Sequence, residues 1–189
     1  MSTKSLAITT NPHTSAVVFR TAVLADASAI WRLVGETGVL DRNSAYLYLL
    51  LCRDFADTCL VAERDSQLVG FVTAYRPPAQ PETLFVWQVG VCESMRRQGL
   101  GLRMLTELTN LAAKRGAVRF LEMTISPSNR ASRRLFESLA RRLETSLAEL
   151  DGEGFSASDF PAGGHEPEPR LRIGPLKNEA DKRKQDGSI

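Results

Sequence analysis

The stretch Leu84–Arg103 constrains this chain most. An apolar run from Leu84 to Val91, broken only by Gln88, stops at a short polar turn, and a Gly-spaced segment then opens a helical pattern. That order predicts a buried strand, a loop able to receive a phosphate, and a helix. In Arg96-Arg97-Gln98-Gly99-Leu100-Gly101 the glycines remove Cβ atoms where the N–H groups of a helix's first turn are unpaired, so a pyrophosphate can approach the backbone closely. The helix dipole and the two arginines add positive potential. A bare Gly-x-Gly mostly makes turns. Here no Gly-Lys-Ser/Thr follows, which excludes the Walker loop, and no third glycine stands at the Rossmann offset.

The remaining chain supplies an α/β frame. Residues 1–16 are Ser/Thr-rich without periodicity and are expected to be a mobile leader; 17–176 form one domain, and 177–189 a charged tail. Val17–Arg20 reads as a short strand, and Asp26–Val34 as a helix whose spacing puts Trp31 in the core. Asn43 or Ser44 can cap a helix running through Tyr48 to Phe55. Thr58–Ala62 and Gln67–Tyr75 flank a polar turn and read as a hairpin. After the phosphate loop come a helix at Leu100–Ala113, a strand at Phe120–Ile125, parallel to the opening one if the helix crosses over, and a helix from Asn129 through Leu139. Asp151–Gly164 reads as an irregular loop and Arg170–Ile173 as a last strand.

Composition excludes several classes. A net charge of +2 offers no broad field for nucleic acid or anionic membrane, and the basic residues do not alternate with aromatics. No apolar run reaches membrane-spanning length and no signal-peptide core stands near the N-terminus. Cys52, Cys59 and Cys92 lack metal-ligand spacing and read as reduced thiols, so a cytoplasmic protein without a metal is expected.

Arg-x-x-Gly-x-Gly after a buried strand resembles the acetyl-CoA loop of the GCN5-related N-acetyltransferase (GNAT) superfamily. The resemblance implies a mixed, mostly antiparallel sheet of six or seven strands, splayed between the fourth and fifth, with helices on both faces. It implies that Arg96, Gly99 and Gly101 hold the signature positions, with backbone N–H groups of Arg97, Gln98 and Leu100 between them. Val89, Gly90 and Val91 would line the splay and offer N–H groups to the oxyanion, with Gly90 at a bulge. Asn129 would bond the coenzyme arm, with Ser132 beside it; Asn129 also reads as a plain helix cap. Superfamily members often carry Tyr seven residues after that Asn, to protonate the departing thiolate. This chain has Phe136 there, leaving Ser132, Tyr46, Tyr48 or a water as donors.

A narrower resemblance extends from about Val17 to Leu176. Leu40–Leu50, Gly70-Phe71-Val72, Leu84–Val89, Glu122–Ile125 and Gly164-His165-Glu166-Pro167-Glu168 leading to Arg172–Leu176 are similar to the L-2,4-diaminobutyrate acetyltransferases of ectoine biosynthesis. This implies acetyl transfer from acetyl-CoA to the side-chain amine of L-2,4-diaminobutyrate, and a homodimer. The acceptor must lose a proton before attack, so a proton acceptor is needed near the thioester carbonyl. A carboxylate in a central strand is costly unless paired or functional, so Glu122 is the leading general base, weighed against a buried ion pair with an arginine. Asp41 reads as a ligand or a helix cap, and Trp87 as a cation–π platform or core. Tyr46, near Asp41 in the chain, is expected to bond the substrate or the thioester sulfur. Asn43, His165 and Glu166 complete the expected acceptor site, the last two ranked below Glu122. The alternatives are acetylation of another small amine or a protein N-terminus, and a non-catalytic acyl-CoA-binding module.

Overall fold

The computed structural model describes residues 15–38, 40–115, 118–161 and 164–177. Nearly all of the expected leader and tail lies outside that range. A seven-stranded sheet runs in the order β1 (Val18–Thr21), β2 (Leu60–Arg64), β3 (Gln67–Tyr75), β4 (Thr83–Val91), β5 (Phe120–Thr124), β7 (Glu168–Ile173), β6 (Leu147–Phe155). All neighbours are antiparallel except β4 and β5. That parallel pair requires a crossover, made by α3 (Leu100–Arg115), with α4 (Arg130–Arg142) beside it. Helices α1 (Ala27–Thr37) and α2 (Ala45–Asp54) cover the opposite face.

Strand periodicity sorts the core into two layers. Leu84, Val86, Leu121, Met123 and Leu171 pack with Met104, Leu105 and Leu108 of α3 and Leu139 of α4. Val61 and Phe71 point the other way and pack with Ile30, Leu33 and Val34 of α1 and Tyr48 of α2. Side chains alternate across a strand, which is why one continuous sheet serves both layers. The β2–β3 hairpin closes on Asp65 and Ser66, both left-handed (φ 53° and 60°), the pairing a two-residue turn uses to match strand twist.

The β4–β5 ladder is short, and this makes the site. Register runs Thr83↔Phe120, Leu84↔Leu121, Phe85↔Glu122 and then ends, so Val86–Val91 has no partner on β5. The sheet opens there into a cleft. A bulge in β4 accompanies the opening: Thr73 pairs with Gln88 and Ala74 with Val86, leaving Trp87 as the extra residue. Leu84 and Val86 face α3 before the bulge, and Val89 and Val91 face it afterwards. Gly90, expected at the bulge, lies instead in regular register with Phe71. It is glycine because a Cβ there would stand 2.2 Å from the Phe71 ring.

Two further expectations are corrected. Asp151–Phe155, read as loop, belongs to β6, an exposed edge strand paired only with β7. Its acidic, outward-facing residues carry no apolar alternation, and such charge protects an edge from further pairing. Trp31 is half-buried at the core's rim, where its indole N–H donates to the Asn43 carbonyl at 3.2 Å and Arg42 stacks on the ring at 3.9 Å. Ser44 rather than Asn43 caps α2, its hydroxyl accepting from the Tyr46 N–H.

Candidate active site

On the α3/α4 side, a cleft of about 920 Å³ runs from the phosphate loop to the splay. Its walls include Val89, Gly90, Val91, Arg96, Arg97, Gly99, Leu100, Gly101, Asn129 and Ser132. Gly99 adopts φ +72° immediately before α3, a conformation only glycine takes without cost. The first turn of α3 therefore presents unpaired N–H groups into the cleft, where an anion is favoured. These residues fit a coenzyme pyrophosphate. Gln98 is absent from the wall; its amide donates to the Ser94 carbonyl at 2.8 Å and braces the loop from behind.

The two arginines divide their tasks. Arg96 donates to the Thr37 carbonyl at the end of α1 (3.0 Å) and to the Val91 carbonyl (3.4 Å). Its guanidinium thus ties the loop to neighbouring backbone. Arg97, at φ 60°, is exposed beside the cleft and supplies charge. Asn129 caps α4 through Oδ1, accepting from Ser132 N–H at 3.0 Å, and is one of the residues lining the cleft. Phe136 is buried in the core, so no hydroxyl is offered there.

Of the expected acceptor-site residues the structure brings Asp41, His165 and Glu166 together, while among the described residues no contact joins Trp87 or Tyr46 to them. The loop between α1 and α2 carries Asp41, whose carboxylate is 85% exposed and lies 3.7 Å from His165 Nε2. His165 is stacked on Phe160 with ring centroids 3.7 Å apart, and its Nδ1 is 2.8 Å from the Glu166 carbonyl. That backbone contact first, and then the Glu168 and Asp41 carboxylates, hold the imidazole pKa above its ordinary value. Glu166 accepts from the Ser128 N–H at 3.0 Å. The segment before β7 thereby spans from the Asp41 loop to the start of α4. Trp87 is 46% exposed on the bulge, so its face is open to a cation. Tyr46 is 64% exposed on the first turn of α2 and its hydroxyl bonds no described residue. Asn43 serves its own loop, its amide reaching the Asp41 carbonyl at 3.3 Å.

Glu122 differs from its expected role. It is fully buried, and each carboxylate oxygen is held by one guanidinium fork: Arg170 Nε to Oε2 and Arg172 Nε to Oε1, both 2.6 Å, with each Nη2 closing the pair. No lone pair is left for a substrate proton. The ion pair weighed against catalysis at the sequence level is what the fold contains, doubled. The burial cost of the carboxylate is offset by two bidentate charged partners.

Glu168 is a residue that sequence reasoning does not single out. It opens β7, its Oε2 accepts from Thr124 Oγ1 at the open end of β5 (2.5 Å), and it lies where β4 and β5 have parted. An acid two residues before Arg170 in an alternating strand was the available signal. Among the described residues no cluster of His, Cys, Asp and Glu could hold a metal ion, and no helix is long and apolar enough to cross a membrane.

Residues 24–140 match the Acetyltransferase (GNAT) family. The L-2,4-diaminobutyric acid acetyltransferase of Marinococcus halophilus is 43% identical over 88% of this chain and 95% of its own length. That of Streptomyces avermitilis is 48% identical over 82% and 86%. The structure of the diaminobutyrate acetyltransferase EctA from Paenibacillus lautus, in complex with L-2,4-diaminobutyric acid and coenzyme A, superposes with a TM-score of 0.80 at 46% identity, covering 87% of this chain and 98% of that one. A ribosomal-protein-alanine N-acetyltransferase from Brucella melitensis shares the fold at 19% identity, with a TM-score of 0.65. With its splayed sheet, its glycine loop at the head of α3 and relatives of this closeness along most of its length, the chain belongs to the GNAT acetyltransferases and, within them, to the diaminobutyrate acetyltransferases.

Proposed function

We propose that this chain transfers the acetyl group of acetyl-CoA to the 4-amine of L-2,4-diaminobutyrate, giving the N4-acetyl product from which ectoine is made. The observation that carries the reading is the cleft at the break in the sheet, whose wall runs from the N-terminus of α3 to Leu40, the chain neighbour of the Asp41–His165 pair. The amine attacks the thioester carbonyl carbon; a C–N bond forms, the C–S bond breaks, one proton leaves the nitrogen and one reaches the thiolate.

Each residue's part follows from its place. The backbone of Val89, Gly90 and Val91, freed from β5, receives the developing oxyanion, and the α3 N-terminus with Arg97 takes the phosphates. Asp41 and the Trp87 face hold the acceptor's ammonium, with His165, Glu166 and Tyr46 closing around it. Glu168, steadied by Thr124, receives the proton, directly or through a water; this replaces Glu122 as the base, because a carboxylate in two guanidinium forks has no free oxygen. Ser132 or a water protonates the thiolate, since position 136 is Phe. Residues 17–176 form the catalytic unit, which works in the cytoplasm as a homodimer.

The reading is tested by coenzyme A release with L-2,4-diaminobutyrate, 2,3-diaminopropionate, ornithine, lysine and a peptide N-terminus. Highest kcat/KM with diaminobutyrate is expected. Preference for another amine would refute the substrate, and tight coenzyme binding without turnover would favour a non-catalytic binding module.

A further inference from the structure

Gln88 is the one polar residue in the opening apolar strand, and none of the roles above uses its side chain. It follows the Trp87 bulge on the stretch of β4 that has left β5, and it is 7% exposed. Buried amides are hydrogen-bonded on both ends, and this one is: Oε1 accepts from the Tyr48 hydroxyl at 2.9 Å and Nε2 donates to the Asp41 carbonyl at 3.0 Å. A carbonyl can only accept, so the amide nitrogen must face Asp41 and the amide oxygen Tyr48. Tyr48 itself is completely buried in the α1/α2 core layer. Its one proton is committed to Gln88, which removes Tyr48 from the candidates for protonating the thiolate.

The loop that bears Asp41 has other braces, and they differ in kind. Trp31 holds the Asn43 carbonyl, and the Thr37 hydroxyl accepts from Leu40 N–H, both from α1 at the loop's ends. Arg96 reaches Thr37 from the coenzyme loop. Among the described residues only Gln88 joins the Asp41 backbone to the sheet, on the strand expected to bind the thioester oxygen. Gln88 is therefore the tie between the Asp41 backbone and the strand expected to hold the thioester.

We propose that Gln88, anchored by Tyr48, is a positioning residue that fixes the Asp41 loop over the splay and so selects the chain length of the amine acceptor. The inference rests on the reading of the site as one for a small diamine. A carboxylate held at a set distance from the acetyl carbon accepts one spacing between the two cations of a substrate; a loop free to ride up or down accepts several. One methylene is worth roughly 10–200-fold in discrimination, so loss of the strut should be visible in substrate ratios.

The test uses the full-length protein with Gln88→Met, which keeps length and volume and lacks both hydrogen-bonding ends, and Gln88→Leu, which is shorter and lacks them too. Both variants should raise KM for diaminobutyrate about tenfold, leave KM for acetyl-CoA unchanged, change kcat by less than about threefold, and lower the kcat/KM preference for diaminobutyrate over ornithine about tenfold. Amides 40–44 should lose hydrogen-exchange protection. An unchanged KM and substrate ratio in Gln88→Met or Gln88→Leu would overturn the proposal. Should circular dichroism show both variants unfolded, Tyr48→Phe carries the test: a raised diaminobutyrate KM at constant acetyl-CoA KM supports the strut, and unchanged values refute it. Preference of the wild-type enzyme for another amine would sink the diaminobutyrate reading alone, because the variant-to-wild-type comparison is then made on that amine.

Discussion

Replacing Glu122 by Gln separates a structural from a chemical role. The carboxylate is fully buried between Arg170 and Arg172, whose side chains keep 21% and 29% of their exposure. Gln has the same shape, but its amide N–H₂ faces one guanidinium donor to donor, and the two cations lose their shared counter-charge. Removing one partner of a buried ion pair costs about 3–5 kcal/mol; the residual solvent contact of both arginines puts this case near about 3 kcal/mol. For a domain of this size that corresponds to a melting point lower by roughly 6–12 °C. The assay pairs thermal and urea unfolding with kcat measured well below the transition, per folded molecule. The expected outcome is a large stability loss with kcat within about threefold of wild type, since both Glu122 oxygens are taken up by the two guanidinium groups. A kcat reduced a hundredfold or more at unchanged melting temperature would restore Glu122 as the base and refute the reasoning.

Three further perturbations read other parts of the site. Gly90→Ala places a Cβ 2.2 Å from the buried Phe71 ring, and overpacking of this kind costs about 1–3 kcal/mol; the melting temperature should fall, and Phe71→Leu in the same chain should recover part of it, whereas a neutral Gly90→Ala would contradict the packing. The His165 titration, followed by NMR of its ring proton, should have its midpoint above the ordinary imidazole value of about 6.5, with the strap to Asp41 complete below that pH and fading as pH rises through the raised midpoint. Asp41→Asn should lower the midpoint and raise KM for the amine without changing KM for acetyl-CoA; a midpoint insensitive to Asp41 would mean the 3.7 Å contact carries no charge coupling. Ser44→Ala removes the α2 cap and should cost about 1 kcal/mol by chemical denaturation, and no loss would show that the cap is dispensable.

The strand, glycine turn and helix start that frame the cleft were legible in the sequence because they are local. A strand, two glycines and a helix start are contiguous from Leu84 to Arg103, and backbone geometry there follows from residue type alone. The acceptor half is assembled from segments far apart in the chain, so residue types could be named while their partners could not. Glu122 illustrates this: a carboxylate in a central strand is exceptional, but whether it is free or locked depends on β7, which returns almost fifty residues later with Arg170 and Arg172 in register. The bulge was placed at Gly90 by glycine's usual meaning in a strand, whereas the register slips at Trp87 and Gly90 answers to the Phe71 ring. β6 was missed because an edge strand needs only backbone pairing and its acidic residues carry no apolar signal. Glu168 and Gln88 were visible as residues, but their meaning comes from Thr124, Tyr48 and Asp41, which only the fold brings to them.

The central claim is tested most directly by the position of the new amide. Purified protein is incubated with L-2,4-diaminobutyrate and acetyl-CoA labelled with ¹³C at the carbonyl, and the product is read by two-dimensional NMR. A correlation from the labelled carbonyl to the methylene protons on the 4-carbon, with none to the α-proton, is the predicted result. Acetylation at the α-amine, or no labelled amide while acetyl-CoA remains tightly bound, would contradict the account.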